Sequence, residues 1–195
     1  MKTRTSQLLL AMIAAASLGL AGGASGAIDK GAYKTAKMNA ESQYKMDKAA
    51  CKSLSGNAKD ICMEEAKGKE KVAKADAEAA YEPTPRHREA ARKARADAAY
   101  NVAKEKCDDL AGNPKDVCVK EAKAAHVKAL ADAKVDRVAA DTRATSSEKT
   151  AEARRDAVED KRDADYKVAI EKCDALAGAS KDTCVRDAKM RFGKV

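Results

Sequence analysis

Tyr100, Ala103, Cys107 and Leu110 follow one another at intervals of three and four residues, which draws one stripe down the side of an α-helix. Tyr166, Ala169, Cys173 and Leu176 repeat the stripe, and Tyr44, Asp47, Cys51 and Leu54 repeat it with a charge where the others carry alanine. Lys, Arg, Glu and Asp fill most positions between, so each helix has a narrow apolar side and a wide charged one. The pattern predicts helices at roughly 30–55, 58–81, 86–111, 114–142, 147–177 and 180–193. "YEPTP" ends the second, because Pro85 has no N–H to donate and pushes Thr84 away from helical angles. At "DTRATSSEKT" two readings stand: Ser147 caps a new helix, or one helix runs through.

The stripes belong to a longer repeat. The strings "CKSLSGNAKDIC", "CDDLAGNPKDVC" and "CDALAGASKDTC" share Leu at the third position after the first Cys, Gly at the fifth, and Lys-Asp at the eighth and ninth. In each copy the first Cys comes seven residues after a Tyr and the second Cys eleven after the first. The units start 56 and then 66 residues apart, with the extra residues in the second connection. They divide the chain into units at 28–83, 84–143 and 144–195.

Local chemistry says what the repeated string builds. Gly112 suits the left-handed residue that ends a helix, Asn113 the cap of the next, Pro114 its first position, and Asp116 its first turn. Gly56 and Gly178 stand at the same place in the other copies. Where Asn would be, the third copy has Ala179 followed by Ser180, so its cap is expected one residue later and its hairpin the least regular. The string therefore reads as helix, reversal, helix, with the two cysteines of a copy level with each other across the hairpin. Ala66, Ala122 and Ala188 follow the second Cys by four, and such small residues let two helices approach to the roughly 7 Å between Cα atoms that a disulfide needs. Tyr44, Tyr100 and Tyr166 are expected to cover the open ends of the hairpins.

Composition limits how such hairpins can be stabilised. The chain has no Trp and one Phe, and it is 36% charged, so no large apolar core can form. Burial returns about 25 cal/mol per Å² against about 1.5 kcal/mol of ordering cost per residue, which leaves alanine-rich packing near balance. The expectation is an all-α fold of three consecutive disulfide-clipped helical hairpins, extended or loosely bundled, with pairs Cys51 and Cys62, Cys107 and Cys118, Cys173 and Cys184. Thiol-redox activity and zinc are the competing readings of these cysteines; no CxxC supports the first, and two cysteines per unit without a partnered His make half a site for the second.

Lys2 and Arg4, the apolar run from Leu8 to Leu20 and the small residues of "GGASGA" read as a secretory signal peptide over 1–27. Export to an oxidising periplasm follows, where six cysteines can pair.

Candidate chemistry is sparse. His87 and His126 have no nucleophile and orienting acid near them in sequence, and both are read as solvated surface. Acids alternate with bases along the helices, as on an exposed, ion-paired face. No catalytic group, cofactor or metal is expected. Net charge is +8, or +6 once Lys2 and Arg4 leave with the leader, and its local excess is "RHREAARKARA". There Arg88, Arg92 and Arg95 share one helix face that could grip the phosphates of lipopolysaccharide or anionic lipid. Nucleic acid is an unlikely partner, since no aromatics interleave with the arginines. Exposed Ala and Tyr stripes also allow self-association, although no sustained apolar heptad fixes a strand number.

The leader, the Ala/Lys/Glu helices and the recurring "CDxLAGxxKDxC" unit resemble a group of small exported proteins of Gram-negative bacteria often labelled TolA-like cell-envelope proteins. Composition is similar to the long helical stalk of TolA, without the retained anchor and globular C-terminal domain of that protein. The resemblance implies a cell-envelope protein, and it carries over no functional residue. The resulting expectation is a non-enzymatic periplasmic scaffold or interaction module, with stress protection as one setting. Its alternatives are a binder of anionic envelope polymers or lipids and, at lowest weight, a thiol-redox protein.

Overall fold

The computed structural model describes residues 27–141 and 147–194; all but the last residue of the segment 1–27 read as a signal peptide, and residues 142–146, lie outside the described residues. Six α-helices follow in order: α1 (Lys30–Ala50), α2 (Gly56–Tyr81), α3 (Pro85–Cys107), α4 (Gly112–Asp141), α5 (Ser147–Cys173) and α6 (Gly178–Phe192), with one 3-10 turn at Cys51–Ser53. Three disulfides clip α1 to α2, α3 to α4 and α5 to α6, each with Cα atoms 5.7 Å apart. The chain is all-α with three disulfide-clipped hairpins, as the repeat predicts.

Two starts follow from sequence directly. Asp29 accepts from the Ala32 N–H to cap α1. Thr84, extended at ψ 155°, accepts from the His87 N–H and sets Pro85 at the first position of α3, where its missing N–H costs nothing.

The reversals differ in detail from expectation. Helices α3 and α5 end at the first cysteine of their unit, and α1 one residue before it, four or five residues earlier than the periodicity suggests. The chain then runs extended, as at Ser55 (φ −136°, ψ 165°), before the glycine. Gly56, Gly112 and Gly178 do take positive φ, at 54°, 60° and 54°, but each opens the second helix instead of closing the first. Pro114 is therefore the third residue of α4 and Asp116 the fifth, outside the first turn. The third reversal has the same geometry as the other two, with Ala177 extended before Gly178, so it is not the irregular one. What differs in the third unit is length: α6 has 15 residues, against 26 in α2 and 30 in α4.

Among the described residues each helix touches only its neighbours in the chain, and the contacts of α2 with α3 and of α4 with α5 are as extensive as those inside a hairpin. The hairpins thus stack into one continuous antiparallel row, with the three disulfide turns along one edge. Its interior is thin. Every buried hydrophobic side chain is an alanine or half of a disulfide; Cys51, Cys107 and Cys173 are fully buried, and among the described residues no polar or charged side chain is. Ala66 and Ala188 are buried beside the disulfides, while Ala122 is half-buried.

Alanine seams hold helices close. A Cβ added to Gly68 on α2 would stand 2.8 Å from the Cβ of Ala98 on α3. Glycine inside a helix costs about 1 kcal/mol relative to alanine, so the contact has to be worth that much. At the same repeat positions, Ala124 on α4 and Ala164 on α5 are both buried along the next seam.

Charged groups close the seams from outside. Most ion pairs cross from one helix to the next: Lys74 to Glu41 (2.9 Å), Arg95 to Asp76 (2.6 Å), Arg137 to Glu89 (2.7 Å), Lys128 to Asp165 (2.5 Å) and Lys194 to Asp163 (2.6 Å). The hydrogen bond and charge of Lys74 lower the pKa of Glu41, and those of Lys194 lower that of Asp163. Solvated pairs of this kind are each worth little, and their role is to fix register.

Three outcomes are expected. Replacing Cys107 and Cys118 together by alanine removes a loop closure worth about 3 kcal/mol, and urea melts should show that loss; an unchanged midpoint would mean the seams alone carry the fold. Gly68→Val should destabilise by about 1–3 kcal/mol through overpacking against Ala98, read from the same melts. Because Glu41 and Asp163 are held lowered, the stability they contribute is full above the unfolded carboxyl value of about 4 and is lost as pH falls through their folded values. Thermal melts followed by circular dichroism should therefore be flat from neutral pH down to about 5 and fall only below about 4.

Candidate interaction surfaces

The disulfide edge is the first surface the repeat builds. Leu54, Leu110 and Leu176, identical in the three copies, are 41%, 43% and 43% exposed, and each donates its backbone N–H to the carbonyl of the preceding cysteine. They form a row of like side chains at the hairpin tips instead of entering the stripe predicted for them. The shared lysine has a visible role in two copies, where Lys115 reaches back to Asp108 (2.9 Å) and Lys181 to Asp174 (3.0 Å). Hydrogen bonding and charge from Asp108 raise the pKa of Lys115. In the first copy Lys52 stands where the aspartate would be, and Lys59 has no such pair.

Asn57 and Asn113 do not cap their own helices. The Asn57 amide donates to the Glu105 carbonyl at the end of α3 (2.8 Å), and the Asn113 amide donates to the Glu171 carbonyl at the end of α5 (3.1 Å). Each ties one unit to the next by adding a second donor to a carbonyl of the helix's last turn, which already accepts from the Asp108 or Asp174 N–H. Ala179 has no amide to offer, and no fourth unit follows α6 among the described residues.

The arginine face is present but already engaged. Arg88, Arg92 and Arg95 stand on one side of α3, and their guanidinium groups fan apart: Arg92 pairs with Asp136 of α4, Arg95 with Asp76 of α2, and Arg88 donates to the Pro83 carbonyl. Arg88 and Arg92 line a cleft of about 260 Å³ together with Arg137, whose guanidinium is held by Glu89 and Asp141. Carboxylates thus stand beside most of the positive charge there. Sequence alone could not show this, because the acids come from other helices.

Neither histidine is freely solvated. The His126 ring stacks on Tyr100 (centroids 4.9 Å apart), its Nε2 lies 2.5 Å from Asp97, and its side chain is 11% exposed. Tyr166 makes the corresponding contact edge-on with Phe192 (6.1 Å). These tyrosines pack within the hairpins; the open end of the first hairpin is closed by Tyr33 stacked on Tyr81 (4.8 Å), a pair outside the repeat pattern. His87 Nδ1 lies 2.9 Å from the Glu82 carbonyl. Glu78, Glu82 and His87 could bring three metal-ligand atoms within 4.8 Å of one another, although the Tyr33 hydroxyl already donates to Glu78. All six cysteines are paired, so none is left as a zinc ligand.

One further recess lies on the α2–α3 seam, where Gly68, Val72, Ala98 and Val102 floor a shallow apolar groove of about 510 Å³. Three disulfides fit an oxidising, extracytoplasmic environment. No helix among the described residues is long and apolar enough to cross a membrane. Comparison with known proteins finds no matching family model, no matching curated protein and no matching solved structure.

Proposed function

We propose that the protein is a non-enzymatic, exported helical-repeat module that works by presenting surface to other molecules of the periplasmic cell envelope. The observation that carries this reading is the single row of helices. Because each helix touches only its chain neighbours, the fold encloses little and displays both faces and the leucine-bearing edge of every unit. Repeat arrays bind partners through extended surfaces of this kind. The disulfides clip each hairpin where alanine packing alone is close to balance, which suits a protein working outside the reducing cytoplasm. The leader-like residues 1–27 support the same compartment, and the resemblance to TolA-like envelope proteins agrees with it.

The test is photo-crosslinking in exporting cells, with a probe at Leu54, Leu110 or Leu176 and a control at Glu82 on the opposite edge. Discrete adducts from the disulfide edge are expected. Absence of adducts at every position on the row would overturn the proposal.

A second reading, binding to anionic envelope polymers or lipids, draws on the net charge and on Arg88, Arg92 and Arg95. Two of those guanidiniums already have carboxylate partners, which disfavours it. Accordingly, an Arg88→Ala, Arg92→Ala, Arg95→Ala variant should keep the parent's retention on anionic liposomes. A loss of retention that also steepens with added salt would favour the second reading.

A further inference from the structure

Helix α6 stops short. Gly193 takes the left-handed conformation (φ 63°, ψ 38°), and the Lys194 N–H closes back on the Lys189 carbonyl (2.9 Å), a helix stop of the Schellman kind. Phe192 against Tyr166 and Lys194 against Asp163 mark how far α6 reaches along α5. N-terminal to that point, α5 packs on α4 through Ala153 and Ala157, and among the described residues its opposite side has no neighbour.

The first two hairpins show what normally fills that place. Eighteen residues before the first cysteine and nineteen after the second, hairpin 1 stacks Tyr33 on Tyr81 and hairpin 2 pairs Glu89 with Arg137. The same place in hairpin 3 holds Arg155, with α6 already ended. Eleven residues before the first cysteine, Ala40 and Ala96 are buried under the returning helix, whereas the third copy has an exposed Arg162. Fifteen before, Arg92 meets Asp136, whereas Val158 stands 65% exposed. Arg154, Arg155, Val158, Glu159 and Arg162 line one recess of about 370 Å³. Among the described residues no carboxylate forms an ion pair with any of these three arginines, so the recess itself is lined by three cations and one acid.

We infer that this open stretch of α5 is a docking site for an acidic amphipathic helix of a partner protein, lying antiparallel to α5 where the missing length of α6 would lie. The length α6 lacks relative to α2 is 11 residues, about 16 Å of helix. A carboxylate opposite Arg155, where α4 sets Arg137 against Glu89, and another over Val158 between Arg154 and Arg162, where α4 sets Asp136 against Arg92, complete the seam as α4 completes it on α3. A second copy docking through the same face would set arginine against arginine. The inference rests on the interaction-module reading only in requiring a partner, and its test is independent of the cross-linking at the disulfide edge.

The probe is an N-acetylated, C-amidated peptide of residues 127–141 carrying Arg137→Glu, with the unaltered peptide as comparison, and binding to the disulfide-bonded full chain is followed by fluorescence anisotropy. The charge-altered peptide should bind, and the unaltered one several-fold more weakly. Arg155→Glu should invert that preference, and Arg155→Glu with Arg162→Glu should weaken the altered peptide at least tenfold while leaving helicity and melting temperature unchanged. Absence of binding by either peptide, or binding insensitive to both substitutions, would overturn the inference. So would loss, in the double variant, of concentration-dependent dimers seen by sedimentation, or of retention on phosphatidylglycerol vesicles by a chain that ignores the peptides; these outcomes would assign the face to a second copy or to lipid.

Discussion

The distance at which alanine allows two helices to pack governs this fold. An alanine seam brings backbones close enough for the disulfides, with Cα atoms 5.7 Å apart, and close enough that Gly68 leaves no room for a methyl group against Ala98. The same seam buries little apolar area per residue, so it positions helices better than it stabilises them. The weakness has to be offset at points that cost little ordering. A covalent clip at each reversal does this by restricting the unfolded chain, and the ion pairs over the seams set register from outside.

Thin seams also explain why the row does not fold into a bundle. A helix in a bundle needs an apolar face broad enough to meet several neighbours at once. These helices have narrow apolar stripes on opposite sides, as α3 does with Ala91 and Ala96 buried while Arg92 and Arg95 remain in water. Two stripes permit two neighbours, and the chain supplies them in order. The outcome is a structure with much surface per residue, on which a position identical in all three units, such as Leu54, Leu110 and Leu176, recurs as a row.

What the sequence reveals and what it hides follow one division. Features whose cause lies within a dozen residues are legible: the cysteine pairing, the positive φ of Gly56, Gly112 and Gly178, and the break at Thr84 and Pro85. Features whose cause lies on another helix are not. Asn113 looks like a cap because Asn before Pro usually is one, yet its amide serves a carbonyl 58 residues away. Gly68 carries no local signal at all. Arg92 and Arg95 look like a free cationic face until Asp136 and Asp76 arrive from either side, and His126 looks solvated until Tyr100 and Asp97 meet it. One non-local signal was within reach: the returning stretch of the third unit meets Gly193 much sooner after its second cysteine than the other two units meet their breaks.

The departures of the third copy from the repeat are coherent when taken together. Stacking one unit on the next uses an asparagine at the reversal and a small residue six positions after the second cysteine, Gly68 in the first unit and Ala124 in the second. The third unit has Ala179 and Met190 at those positions, with Met190 58% exposed. An Asn donor is gone and a long side chain occupies the seam, so the outer face of α6 does not reproduce the surface that receives another unit of this kind. The shortened α6 fits the same change: among the described residues no further helix packs on its outer side, so its early end removes no contact of the row. It leaves the exposed side of α5 open where Arg162 stands in place of the buried Ala40 and Ala96 of the other units.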